Sequence, residues 1–180
     1  MRLWRVVPGV NLQSNDFELF GLPRQFEQDR SALDERWKAL QREAHPDKFA
    51  AQGDAAQRLA MQWSVRINEA YQRLKDPLKR AAYQCELAGF PIQAHSNTSM
   101  PAVFLMQQME WREALEEASS LTQLEQLHQE VLAAKKQMLQ QCADALDQQQ
   151  NPEAAVPLVR AWMFVDKFAT ELNNRMDDLA

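Results

Sequence analysis

The chain has 180 residues, room for one large or two small domains. An apolar share of 46% can build a real core; four glycines, with Ala, Leu, Gln, Glu and Met abundant, exclude alternating strands and imply an all-α fold. The net charge of −5 excludes the basic surface that a nucleic-acid binder normally carries.

Residues 1–14 form an N-terminal extension. "MRLWRVVPGV" has two arginines and a brief apolar stretch that Pro8 interrupts, without a convincing small-residue cleavage site, so no signal peptide is expected. No apolar run anywhere approaches the ~18–20 residues that span a bilayer, so no membrane partner is expected. "NDFELFGLP" predicts a short first helix, with Asn15 or Asp16 as its cap and Gly21 and Pro23 as its stops.

A second helix is predicted from about Ser31 to Ala44. Ser31 and Asp34 approximate a capping box, Leu33, Trp37, Leu40 and Ala44 share one face, and Lys38 and Arg42 point the other way. Pro46 ends it, because the residue before a proline is pushed out of the α region. The third helix starts near Asp54, carries a stripe of Leu59, Trp63, Ile67, Ala70 or Tyr71, and Leu74, and stops at Asp76-Pro77. The two form an antiparallel pair whose connection holds His45-Pro46-Asp47. A short fourth helix bears Leu78, Ala82 and Cys85 and is closed by Gly89.

"GFPIQAHSNTSMP" has linker composition, and the domain boundary is expected at residues 91–101. Beyond it, helices of roughly 18, 28 and 27 residues are predicted, separated by "ASSL" and "QQQNPE". The middle one has Leu124, Leu127, Val131, Ala134 and Met138 at helical spacing. The last repeats Leu158, Trp162, Val165, Ala169, Leu172, Met176 and Leu179. Such seams and short connections describe a three-helix bundle over residues 102–180.

Charge divides the chain unevenly. Residues 1–90 hold 14 Lys+Arg against 12 Asp+Glu, while residues 91–180 hold 6 against 13. Two surfaces with different partners would produce this split, as would ordinary solvated helix faces. Cys85 and Cys142 lie far apart without a CxxC or a nearby His pair. They read as small core residues rather than a disulfide or a zinc site.

His45-Pro46-Asp47 invites a catalytic reading. A general base needs an orienting partner and a nucleophile within reach. The chain offers only His45, His95 and His128, on different elements, with no nucleophile elbow or phosphate loop. Two ligands around a rigid proline do not make a metal site. As a bare tripeptide it is a helix end and a turn. Catalytic residues, metal and cofactors are therefore all assigned as none.

Its context is more specific. "DFELFGLP", "HPDKF" between two helices, "INEAYQRLKDPLKRAAY" after it, and the basic residues on the second helix resemble a J-domain over about residues 15–85, and the domain is taken as 15–90. J-domains dock on the ATPase domain of a seventy-kilodalton heat-shock chaperone and speed its ATP hydrolysis. The resemblance implies that His45, Pro46 and Asp47 are the contact, with Arg36, Lys38, Arg42 and Lys48 as a supporting basic surface. Ala44 departs from the family, which usually has Tyr or another bulky residue there, so looser packing of the loop is expected. Pro46 limits the entropy lost on docking, Asp47 can accept charge-assisted hydrogen bonds, and Lys38 and Arg42 supply salt-sensitive steering.

In "PAVFLMQQMEWREALEEAS", successive residues lie about 100° apart around a helix. Phe104, Trp111, Leu115 and Ala118 then face the bundle, while Leu105, Met106, Met109, Glu110, Glu113 and Glu117 spread over an arc nearly opposite. Either this helix is sandwiched with both sides buried, or the outer arc is an adaptable binding patch. Burying each Leu or Met there would contribute on the order of 1.5–3 kcal/mol before association costs. Phe164 lies about 120° from the seam of the last helix, near Arg160 and Lys167, and could extend the patch.

A J-domain followed by "FLMQQMEWREALEE" and "FVDKF" resembles the HscB family, co-chaperones of iron–sulfur cluster assembly, over about residues 15–178. That resemblance implies a C-terminal bundle that binds an IscU-type cluster scaffold and delivers it to an HscA-type chaperone. The scaffold-binding positions map onto Leu105, Met106, Met109, Glu110, Glu113, Glu117 and Phe164. Met109 stands where a leucine is common, a volume-conserving change. Some relatives carry an N-terminal cysteine-rich metal motif; this chain has no cysteine before Cys85, which implies no zinc and a bacterial-type, cytoplasmic member. The alternatives are a general J-domain co-chaperone that recruits other clients, and a hydrolase using His45 and Asp47.

Overall fold

A computed structural model of the chain describes residues 9–93 and 100–179; the readings made for residues 1–8 and for His95 fall outside them. The described residues contain seven α-helices and no strand, so the fold is all-α. The backbone groups into two compact units that divide between Arg80 and Ala81.

In the first unit, α1 (Asp16–Phe20) begins with a reciprocal capping box between Asn15 and Glu18 and ends on Gly21, whose φ of 62° is the left-handed cap glycine adopts readily. Asp16 caps nothing. Its fully buried carboxylate sits 2.7 Å from Arg66 and 3.1 Å from Arg73, both on α3 (Asp54–Lys75), which ties the first helix to the third.

The helix α2 (Arg30–Ala44) is capped by Asp29, which accepts the N–H groups of Ser31 and Ala32; the capping box expected at Ser31 and Asp34 does not form. Asp34 is engaged elsewhere, accepting from the Tyr71 hydroxyl at 2.8 Å and pairing with Arg30 at 2.9 Å. The Tyr71 hydrogen bond holds the Asp34 carboxyl below its ordinary range, and the same bond raises the Tyr71 phenol. The pairings run in antiparallel register. Gln41 donates to Ser64 O, Trp37 to Asn68, Tyr71 to Asp34, and Arg30 to Lys75 O. Leu33, Leu40 and Ala44 on α2 and Trp63, Ile67, Ala70, Tyr71 and Leu74 on α3 are buried; Trp37 is half-buried and stacks on Tyr71 with ring centroids 4.6 Å apart. Leu59 is only half-buried, and Ala56 and Ala60 carry the stripe in its place. Arg80 donates to Phe26 O at 2.6 Å and to Leu74 O, pinning the segment before α2 against the end of α3.

In the second unit, the later residues of α4 (Pro77–Leu87) contribute buried Ala81, Ala82 and Cys85. The bundle helices are α5 (Ala102–Glu117), α6 (Leu121–Ala143) and α7 (Pro152–Leu179). A reciprocal Ser120–Gln123 capping box opens α6, which runs on through a π-helical turn, Asp144–Gln148. On α7, Trp162, Val165, Ala169 and Leu172 are buried; Leu158 and Met176 are half-buried, and Leu179 is exposed. Val156, Val159 and Phe168 are buried as well, because this helix packs along more than one face. Trp111 of α5 stacks on Phe168 at 5.6 Å, and Arg112 pairs with Glu171 at 2.7 Å.

Arg160 is buried rather than displayed beside Phe164. Its Nε donates to Ile92 O at 2.7 Å, and Ile92 is itself buried, so this stretch of the expected linker is anchored. Cys85 and Cys142 are free and fully buried. Burial pushes the Cys85 thiol up to about 11 and the Cys142 thiol up to about 12.

Candidate partner-binding surfaces

The first surface begins where α2 ends. His45 leaves the helix with φ −61° and ψ 125°, the extended conformation that Pro46 imposes on the residue before it. Pro46 then opens a 3₁₀ segment, Pro46–Gln52, where its missing N–H costs nothing and its fixed φ suits a helical start. His45 caps that segment. Its Nδ1 accepts the Asp47 backbone N–H at 3.3 Å, and its carbonyl accepts from the Lys48 N–H at 3.1 Å. Because Nδ1 accepts, Nε2 is the ring nitrogen that can donate. The connection is a structured turn, and Ala44 beneath it is buried at 4% exposure.

His45, Asp47 and Lys48 are exposed, and Pro46 is half-buried. His45 Nδ1 lies 3.6 Å from Asp47 Oδ2, with the imidazole and the carboxylate open to solvent. Among the described residues, no group of three His, Cys, Asp or Glu could hold a metal ion. Lys38 and Arg42 are exposed on α2. Arg36 differs. Half-buried, it donates from Nε to Phe20 O at 2.9 Å, and burial holds its guanidinium below the usual arginine value. It fastens α2 to the end of α1, whereas Lys38, Arg42 and Lys48 are exposed to solvent.

The second surface lies on α5. Phe104, Trp111, Leu115 and Ala118 are buried, and the opposite face is open: Leu105 is 43% exposed, Met106 65% and Met109 74%. Glu110, Glu113 and Glu117 are exposed beside them. The sandwiched arrangement is therefore not what α5 adopts within its unit. Phe164 on α7 is half-buried. The sequence reading passed over Val103, which is 81% exposed and flanks the same apolar group. Its signal was present, since a valine about 100° from the seam has no packing role on the wheel.

A helical hairpin with His45-Pro46-Asp47 at its turn, followed by a three-helix bundle with an open apolar face, defines a J-domain protein carrying an appended helical module. Comparison with known proteins narrows this. A family model described as the HSCB C-terminal oligomerisation domain matches residues 100–173. The chain is 48% identical to a co-chaperone HscB homolog of Bordetella petrii over 157 residues, covering 87% of this chain and 92% of that protein. It is 44% identical to the corresponding protein of Burkholderia multivorans over 173 residues, covering 94% and 98%. Among solved structures, chaperone HscB from Vibrio cholerae matches with a TM-score of 0.79 at 38% identity, covering 93% of this chain and all of that one. Human co-chaperone HscB matches with a TM-score of 0.85 at 26% identity, covering 92% and 83%. The chain belongs to the HscB co-chaperone family.

Proposed function

We propose that the chain is an adaptor between an IscU-type cluster scaffold and an HscA-type heat-shock chaperone. Residues 102–180 hold the scaffold through Leu105, Met106, Met109, Glu110, Glu113, Glu117 and Phe164. Residues 15–90 press His45, Pro46 and Asp47 against the chaperone, guided by Lys38, Arg42 and Lys48, with Arg36 bracing the helix that carries them. Holding both partners on one chain raises the effective concentration of one near the other. ATP hydrolysis belongs to the chaperone, and the adaptor does no chemistry of its own. A bacterial cytoplasmic setting is part of this reading and agrees with the two free cysteines.

The observation that supports it best is the open face of α5, where Leu105, Met106 and Met109 stand exposed beside three carboxylates, opposite the buried Phe104, Trp111 and Leu115. Methionines suit such a surface because they adapt to a partner's shape. The test uses purified scaffold and chaperone with two variants. His45→Gln abolishes stimulation of ATP hydrolysis and leaves helicity and scaffold affinity unchanged. Replacing Leu105, Met106 and Phe164 with Ala weakens scaffold affinity at least tenfold without lowering the melting temperature. Persisting stimulation removes the turn from the mechanism. Unchanged scaffold affinity in the triple variant, with capture of unfolded chains, would instead make this a general co-chaperone.

A further inference from the structure

The six proposed scaffold-binding positions on α5 do not lie on one side of it, and the seventh, Phe164, is on α7. With residues about 100° apart, Leu105 leans toward the flank where α7 packs, marked by the Trp111–Phe168 stack and the Arg112–Glu171 pair, whereas Glu110 and Glu117 lean toward the flank of α6. Phe164, one turn before Phe168, belongs to the first flank. On the second flank, α5 and α6 meet but leave a hollow between them. A groove of about 480 Å³ lies between them, with Val103, Met106 and Glu110 on one wall and Ala134, Gln137 and Gln141 on the other. Leu158 and Ala161 of α7 also line it. Its inner surface is apolar, its rim is amide and carboxylate, and among the described residues no cation lines it.

We infer that this groove is a second anchor point for the scaffold, taking one apolar side chain from a segment that also bears a lysine or arginine. The inference rests on the adaptor reading and extends it from α5 and α7 to α6. Three observations carry it. The groove is continuous with the open face, because Met106 and Glu110 belong to both. A smaller hollow farther along the same two helices is lined by Glu117 and Glu130 and, among the described residues, again by no cation, so charge along this flank complements a basic partner. Val103, at 81% exposure, flanks the groove mouth and would be covered by a chain entering it. A scaffold seated this way straddles α5, with one contact near Phe164 and one near Gln137.

The test changes α6 alone. Gln137 and Gln141 are exposed, so Gln137→Trp with Gln141→Trp narrows the groove, and Gln137→Lys places a cation on its rim, without disturbing the seam. Titration of purified scaffold into the full-length protein is expected to show affinity about tenfold weaker for each variant, with the melting temperature unchanged. Stimulation of the chaperone's ATPase in the absence of scaffold should stay at the wild-type level. If both α6 variants bind as the wild type while the Leu105, Met106 and Phe164 variant is impaired, the groove is no anchor and the adaptor reading stands. If all of them bind as the wild type, the adaptor reading fails, and the groove proposal with it. If Gln137→Lys binds as the wild type while the double tryptophan variant does not, the anchor is apolar only and the basic neighbour is wrong.

Discussion

A buried carboxylate between two guanidinium groups holds α1 against α3 in the first unit. Asp16 is fully buried, and Arg66 also donates to Ser14 O at 2.8 Å, so α1 and the residue before its cap are fastened to α3 together. Removing one partner of such a cluster leaves uncompensated charge inside the protein, a much larger loss than breaking a surface pair. Asp16→Asn should lower unfolding free energy by about 3 kcal/mol, the lower end for a broken buried pair because both arginines keep some access to water. Urea denaturation measures it, and an unchanged midpoint would show that the cluster does not hold α1. In the sequence Asp16 reads as a cap, since a local pattern cannot reveal partners fifty residues downstream. The same limit hid Arg36, which looks like one basic residue among four until Phe20 O is placed beside it. Arg160 likewise belongs with Lys167 on a wheel and with Ile92 in the fold.

At the scale of elements, α2 and α3 were legible because Leu33, Leu40, Trp63, Ile67 and Leu74 repeat at the helical period and Pro46 and Pro77 mark stops. The connection between them was legible only as a break. It is a 3₁₀ segment ending on Gly53, whose φ of 90° and ψ of 166° lie where side chains with a Cβ are strained. A Cβ added at Gly53 would meet nothing within 4 Å, so the cost of substituting it is conformational rather than steric. Gly53→Ala should destabilise the first unit by about 1–3 kcal/mol, seen as a lower urea midpoint and faster amide exchange from Asp47 to Gln52. Equal stability would mean that the junction relaxes without strain. Start signals were less reliable than stripes. The cap expected at Ser31 falls instead on Asp29, and Asp34, expected to close the box, accepts from the Tyr71 hydroxyl. On α7 a single seam was predicted, yet Phe168 is buried against Trp111, which the period of one helix alone does not encode.

For the whole molecule, composition carried the all-α class, the order of motifs carried the family resemblance, and the wheel of α5 carried the open face. Two buried thiols couple its stability to alkaline pH. In the unfolded chain each ionises near the ordinary value of 9.0, while burial in the fold holds Cys85 to about 11 and Cys142 to about 12. The raised folded values fix the sign. Below pH 9 both states keep the proton and stability is unaffected, whereas above it the unfolded chain gains by releasing protons that the fold retains. The melting temperature should therefore fall progressively from about pH 9 upward, and Cys142→Ala should flatten that slope. An identical slope in the variant would mean that other groups set the alkaline limit. At pH 8 the native protein should also resist thiol alkylation and react fully once unfolded, because the thiolate is the nucleophile.

The imidazole that caps its own turn makes His45 a splint as well as a fingertip. Glutamine alters the shape of the bend and the surface it offers at the same time, so a loss of stimulation in that variant would combine two injuries. Asparagine would keep an acceptor for the Asp47 amide in an Asx turn while offering no ring. Comparing the two carboxamides therefore tells architecture from touch at the turn proposed to meet the chaperone.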